Sequence, residues 1–179
     1  IKLPKGVTFE GGDLLVASDD TIVIGNSERT SLGGVISVAR ALFAATEIQN
    51  VIMVNLPNER SCMHLDTVFT FVSPDECVVF PPLIDLSGQN DVITFSRGDE
   101  PDNLVSRVHE NLHSALEYNL KRSITFVPCG GLDPLSQQRE QWTDGANFFA
   151  IAPGVVIGYD RNGRTFDEMA SLGYRVVTA

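Results

Sequence analysis

The sequence predicts an α/β protein assembled from repeated β-β-α-β units. Three observations carry this. Short apolar runs bracket polar turns in pairs, as in β-hairpins. Stretches with helical periodicity follow two of the pairs, and a shorter segment able to hold a helix follows the third. A single further apolar run closes each group, and the pattern occurs three times along 179 residues. Repeats of roughly 40–50 residues point to stacked or radially arranged units, a ring of β-β-α-β modules being one solution.

The first unit is led by Asp13. Residues 14–17 and 21–24 are apolar runs around the turn Ser18-Asp19-Asp20. Residues 35–45 place Val35, Val38, Leu42 and Ala45 on one helical face, and residues 51–54 return as a strand. The second unit is led by Asp66. Residues 67–72 and 77–80 flank Ser73-Pro74-Asp75; the spacing predicts a helix over 102–118 and a strand over 124–127. The third is led by Asp144. Residues 148–151 and 155–159 flank Pro153-Gly154, with a short helix over 165–171 and a strand over 174–177. The units run over residues 9–56, 62–128 and 140–178 of one partial domain.

Composition narrows the function. The chain is 43% hydrophobic and 20% charged, the balance of a globular protein rather than a disordered one. Its net charge of −10 repels phosphate backbones, which argues against nucleic acid as partner and suits a cationic small molecule. No apolar run approaches the ~20 residues that span a bilayer. Lys2 and Lys5 are followed by Glu10 and Asp13 with no apolar signal core. Cys62, Cys77 and Cys129 are odd in number and widely spaced, as in a reduced, cytoplasmic protein. Opening on Ile1 is the expectation for a processed or excised piece.

The polar residues of interest sit where units begin. Glu10-Gly11-Gly12-Asp13 sets two carboxylates beside glycines that let a ligand approach the backbone. His64 and Asp66 are two apart, so in a strand both face one cleft. Arg29 lies at a hairpin-to-helix turn, where it can pair with a carboxylate.

These residues lie within motifs that resemble the arginine deiminase family. The motifs are Phe9-Glu10-Gly11-Gly12-Asp13, Ser27-Glu28-Arg29-Thr30-Ser31 and Met63-His64-Leu65-Asp66-Thr67-Val68-Phe69. Residues 139–147, 152–156 and 159–162 continue the likeness in order, and it is weakest between Phe80 and Val127. The resemblance implies a pentein-type α/β propeller, of which this chain holds about three of five modules. It implies hydrolysis of L-arginine to L-citrulline and ammonia through a cysteine thiouronium intermediate, with neither metal nor organic cofactor. In that scheme Asp66 pairs with the guanidinium and His64 is the general acid and base. Glu10 supports His64 and touches the guanidinium, and Arg29 binds the substrate carboxylate. Asp13, Asp144 and Asn147 are expected to be structural. The family's nucleophilic cysteine would lie beyond Ala179, and further substrate residues before Ile1. The chain is therefore expected to be an inactive piece, with homo-oligomerisation one way to cover its open edges. Agmatine deiminase, dimethylargininase and amidinotransferase are the nearer alternatives within the superfamily.

Two other classes are open. One is a guanidino-binding relative without catalysis. The other is a zinc peptidase, since His109-Glu110-Asn111-Leu112-His113 matches H-E-x-x-H on the helix expected there. There His109 and His113 lie on the margin of the apolar stripe, Glu110 points to the polar side, and no distant third ligand is evident.

Overall fold

A computed structural model describes residues 2–84, 91–98 and 103–177. In chain order the elements are β1 Leu14–Val16, β2 Thr21–Asn26, α1 Leu32–Ala45, β3 Asn50–Asn55, β4 Phe69–Phe71, β5 Glu76–Val79, α2 Pro81–Ile84, β6 Val92–Arg97, β7 Leu104–His109, α3 Leu112–Leu120, β8 Thr125–Pro128, α4 Pro134–Trp142, β9 Phe149–Ala152, β10 Val155–Ile157 and α5 Gly163–Ser171. The class is α/β, as the sequence predicts. Among the described residues no helix is long and apolar enough to cross a membrane.

Among the described residues three sheets form, ordered β1-β2-β3-β6-β7, β4-β5-β8 and β9-β10. In the first, β1 and β2 are an antiparallel hairpin and α1 carries the chain to β3, parallel to β2 with Ile22 opposite Val51 and Ile24 opposite Met53. Both faces of this sheet are covered at β2 and β3, which is why these strands read as continuous apolar runs rather than alternating ones. Ile22, Ile24, Val51 and Met53 meet Val35, Val38 and Phe43 of α1. Val23, Ile52 and Val54 turn the other way, into a core shared with Leu65, Phe69, Leu112 and Leu116. The second sheet repeats the plan, with β8 parallel to β5.

The start of α1 also fixes the segment that precedes β1. Ser31 caps the helix by accepting from the Gly34 N–H at 3.3 Å, and its own N–H donates to the Thr8 carbonyl at 3.1 Å. A Cβ on Gly34 would lie 2.1 Å from that carbonyl oxygen. Gly34→Ala must therefore push residues 8–10 off the helix. We expect a loss of about 1–3 kcal/mol in denaturant unfolding; an unchanged midpoint would show that the contact yields freely.

The helix expected over 102–118 is not one element, and Asp102 lies outside the described residues. Residues 104–109 are strand β7, and α3 begins only after the Asn111 cap, whose side chain accepts from Ser114 N at 2.8 Å. Val105 and Val108 fit the helical stripe of Leu112 and Leu116 but stand in a strand, exposed. β-Branched residues suit that edge, and β6 offers it a full ladder with Ile93 opposite Val108. The β6-β7 hairpin thus leaves its neighbours in sequence and extends the first sheet through β3. Residues 174–177 do not form the expected strand. Tyr174 Oη instead donates to Glu76 Oε2 at 2.5 Å, holding this segment by its side chain against β5. Helix α4 was not expected, because its polar run has no apolar stripe; Asp133 caps it and Pro134 opens it.

Candidate active site

Glu10, Arg29, His64 and Asp66 lie at one end of two sheets. Glu10 precedes a 3-10 turn, Gly11–Asp13, that leads into β1. Arg29 follows β2, which runs antiparallel to β1 and so ends where β1 begins. His64 precedes a second 3-10 turn, Leu65–Thr67, that leads into β4. Topology alone brings these loops to one end.

Hydrogen bonds then set the distances. The Glu10 N–H donates to Thr30 Oγ1 at 3.0 Å, placing its carboxylate beside the Arg29 turn. Arg29 Nη1 lies 3.5 Å from Glu10 Oε1 and Nη2 3.8 Å from Met63 Sδ. His64 Nε2 and Glu10 Oε2 are 2.7 Å apart. A charged carboxylate only accepts, so Nε2 carries the proton. Gly12 brings Asp66 into the group. A Cβ on Gly12 would lie 2.9 Å from His64 Cγ and 3.0 Å from Asp66 Oδ2, so ring and carboxylate close over a position that only glycine leaves open. His64 and Asp66 are not in a strand. They sit on either side of Leu65, whose N–H donates to Asp13 Oδ1 at 2.9 Å.

The acids differ in environment. The His64 hydrogen bond, aided by Arg29, lowers the carboxyl of exposed Glu10 below its ordinary value. Burial raises that of Asp66; His64 and a hydrogen bond from the Asn147 side chain oppose this, while Asp13 and Asp144 add to it. Such a group of acids, with Arg29 to one side, suits a cation that ends in a carboxylate.

Asp13, expected to be structural, ties the loops of the site together. Asp13 is fully buried and joins the loops, accepting from Leu65 N and, at 2.7 Å, from Ser27 Oγ. The one hint of this in the sequence is that Asp13, Asp66 and Asp144 each lead a hairpin. Asp144 takes a left-handed backbone, φ +61°, and pairs with Arg161 at 3.8 Å.

No cysteine in the chain is a ready nucleophile. All three are buried. Burial raises the thiols of Cys62 and Cys77, and that of Cys129 to about 12, whereas attack needs a lowered one. The zinc reading is overturned. His109 ends β7 and His113 lies on α3, so they are not one helical turn apart. His109 Nε2 bonds Thr94 Oγ1 at 2.9 Å, and His113 Nε2 donates to the Ile124 carbonyl at 2.8 Å. Among the described residues no three His, Cys, Asp or Glu side chains group to hold a metal.

A family model described as arginine deiminase matches residues 4–179. The arginine deiminase of Limosilactobacillus reuteri is 42% identical over 177 residues, covering 98% of this chain and 42% of the relative. That of Listeria welshimeri is 40% identical over 172 residues, covering 94% and 42%. That of Levilactobacillus brevis is 39% identical over 171 residues, covering 94% and 41%. The chain thus spans about two-fifths of the length of these curated relatives.

Proposed function

The chain belongs to the arginine deiminase family, and from that premise we propose that it supplies part of the active site of an enzyme converting L-arginine and water to L-citrulline and ammonia. The observation that supports this most is the closure of Glu10, His64, Asp66 and Arg29 on one another. A guanidinium carbon is a poor electrophile because its charge is delocalised. Carboxylates at Asp66 and Glu10 accept its N–H groups and fix its plane. A cysteine thiolate adds to the carbon. The C–N bond breaks as His64 passes its proton to the departing ammonia, leaving the thiouronium. His64 then takes a proton from water, whose oxygen attacks the same carbon and expels the thiolate. Arg29 pairs with the substrate's α-carboxylate. The route is acid–base and nucleophilic throughout and calls on no metal or organic cofactor.

We read residues 9–56, 62–128 and 140–178 as three of five modules of a pentein-type propeller, the third with no closing strand over 174–177; residue 178 lies outside the described part. The orders β1-β2-β3 and β4-β5-β8, each with a closing parallel strand, support this. The free thiols support a cytoplasmic setting. The outward apolar side chains Phe149, Ile151, Val155 and Ile157 support a homo-oligomer.

Calorimetry on the purified chain tests the site. L-Arginine is expected to bind, agmatine, which lacks the carboxylate, far more weakly, and Arg29→Ala to lose arginine. Equal binding of both ligands would remove Arg29 from its role. Because all three thiols are raised, no citrulline is expected from this chain alone; its formation would overturn that part of the reading.

A further inference from the structure

Resting on the reading of Glu10 as the carboxylate that supports His64 and meets the guanidinium, we infer that Thr30 is its positioning residue, fixing through one hydroxyl where the Glu10 side chain starts and so where it aims. Glu10 does not hold itself in place. Its side chain is 45% exposed, and among the described residues its oxygens meet only Arg29, at 3.5 Å, and His64, at 2.7 Å. Both partners belong to the site, so no surrounding wall sets the carboxylate's direction. The main chain must set it. The backbone at Glu10 is extended, φ −125° and ψ 149°, and its N–H donates to Thr30 Oγ1 at 3.0 Å. Its carbonyl accepts the Asp13 N–H at 3.2 Å, a bond within the same short turn. The Thr30 bond is the one that ties residue 10 to another part of the chain.

Thr30 is suited to be the fixed point. It is fully buried. Its N–H donates to Ser27 Oγ at 3.1 Å, and its carbonyl accepts the Ser27 N–H at 2.9 Å. Ser27 Oγ donates in turn to buried Asp13 at 2.7 Å. Thr30 thus stands on a closed turn at the end of β2 and cannot shift without opening it. The residue type fits as well. A branched Cβ restricts χ1, so the buried hydroxyl keeps one direction. Valine has that shape and no acceptor, whereas serine keeps the acceptor. A neighbouring tie joins the same two segments two residues earlier: Thr8 N–H donates to Ser31 Oγ at 3.2 Å, on the exposed side. It offers a comparison in which the segments loosen but the Glu10 N–H keeps its acceptor.

Carbon-13 NMR of the glutamate carboxyls, followed against pH on the whole chain, reads the aim of Glu10, because the His64 hydrogen bond is the main cause of its lowered value. Thr30→Val is expected to bring the Glu10 midpoint up towards the ordinary carboxylate value. It should also weaken arginine binding roughly three- to tenfold, the worth of one hydrogen bond. Thr30→Ser is expected to restore both. Ser31→Ala removes the neighbouring tie and the α1 cap, and should lower the melting temperature while leaving the Glu10 midpoint in place. A midpoint unmoved in folded Thr30→Val, or moved as far by Ser31→Ala, overturns the inference, since a merely structural role predicts either. Hydrogen exchange in the wild-type chain tests the bond without a variant: the Glu10 amide should be protected, and free exchange also overturns the inference. A moved midpoint with unchanged arginine affinity overturns instead the reading that Glu10 meets the guanidinium, and leaves Thr30 as the residue that aims it.

Discussion

Asp66→Asn is expected to raise the melting temperature at neutral pH while weakening arginine binding a hundredfold or more, roughly the cost of removing one partner of a buried charge pair. The two effects have one origin. Burial lifts the Asp66 carboxyl above its value in the unfolded chain. Below the unfolded value the proton is bound in both states and Asp66 costs nothing. As pH rises through the folded value, the folded state must carry a half-buried charge, and stability falls by the amount the shift represents. Asparagine keeps the shape and never ionises. The gain should therefore be full at neutral pH and vanish below the unfolded value. Thermal melts across that window, with calorimetry at neutral pH, measure both. A lower melting temperature at neutral pH would show that the charge is stabilised in place. Unchanged arginine affinity would remove Asp66 from the site.

The second large effect is structural and falls on Asp13. Its carboxylate is fully buried between Ser27 Oγ and Leu65 N. Asp13→Ala leaves a buried N–H and a hydroxyl without their charged acceptor. The expected loss is about 3 kcal/mol in denaturant unfolding, or roughly 6–12 °C in melting temperature for a domain of this size. Ser27 begins the turn that carries Arg29, and Leu65 separates His64 from Asp66. Arginine binding should fall even at temperatures where the variant is folded. Stability within about 0.5 kcal/mol of the wild type would mean that water replaces the carboxylate at no cost.

How much of this was legible depends on whether a neighbour in space was needed. The strands β2 and β3 were legible because a run such as Thr21-Ile22-Val23-Ile24, buried on both faces, has few other homes. The stripe of Val105, Val108, Leu112 and Leu116 was not, because four residues fit a helix as well as a strand followed by a helix. Only the ladder with β6 and the Asn111 cap separate the two. That division also disposes of the H-E-x-x-H pattern, whose chemistry requires one helix. Helix α4 carries a cap and a proline but no apolar face, so periodicity passes over it.

At the site, Glu10, Arg29, His64 and Asp66 were legible as residue types in motifs of set spacing. Asp13 looks in sequence like any solvated acid beside glycines. Its burial follows from the docking of two 3-10 turns.

By itself, then, the sequence determined the α/β class and the three hairpins that open its units, which follow from local periodicity and turn residues. Its likeness to the arginine deiminase family marked out Glu10, Arg29, His64 and Asp66 for a guanidinium. Only the tertiary structure decided that Glu10 meets His64, that Gly12 lets His64 and Asp66 close over it, that Asp13 joins the loops, and that the thiols are buried and inert. The reason is physical. Hydrogen bonds, desolvation and close approach act over a few ångströms between residues tens of positions apart, and no local pattern records such distances.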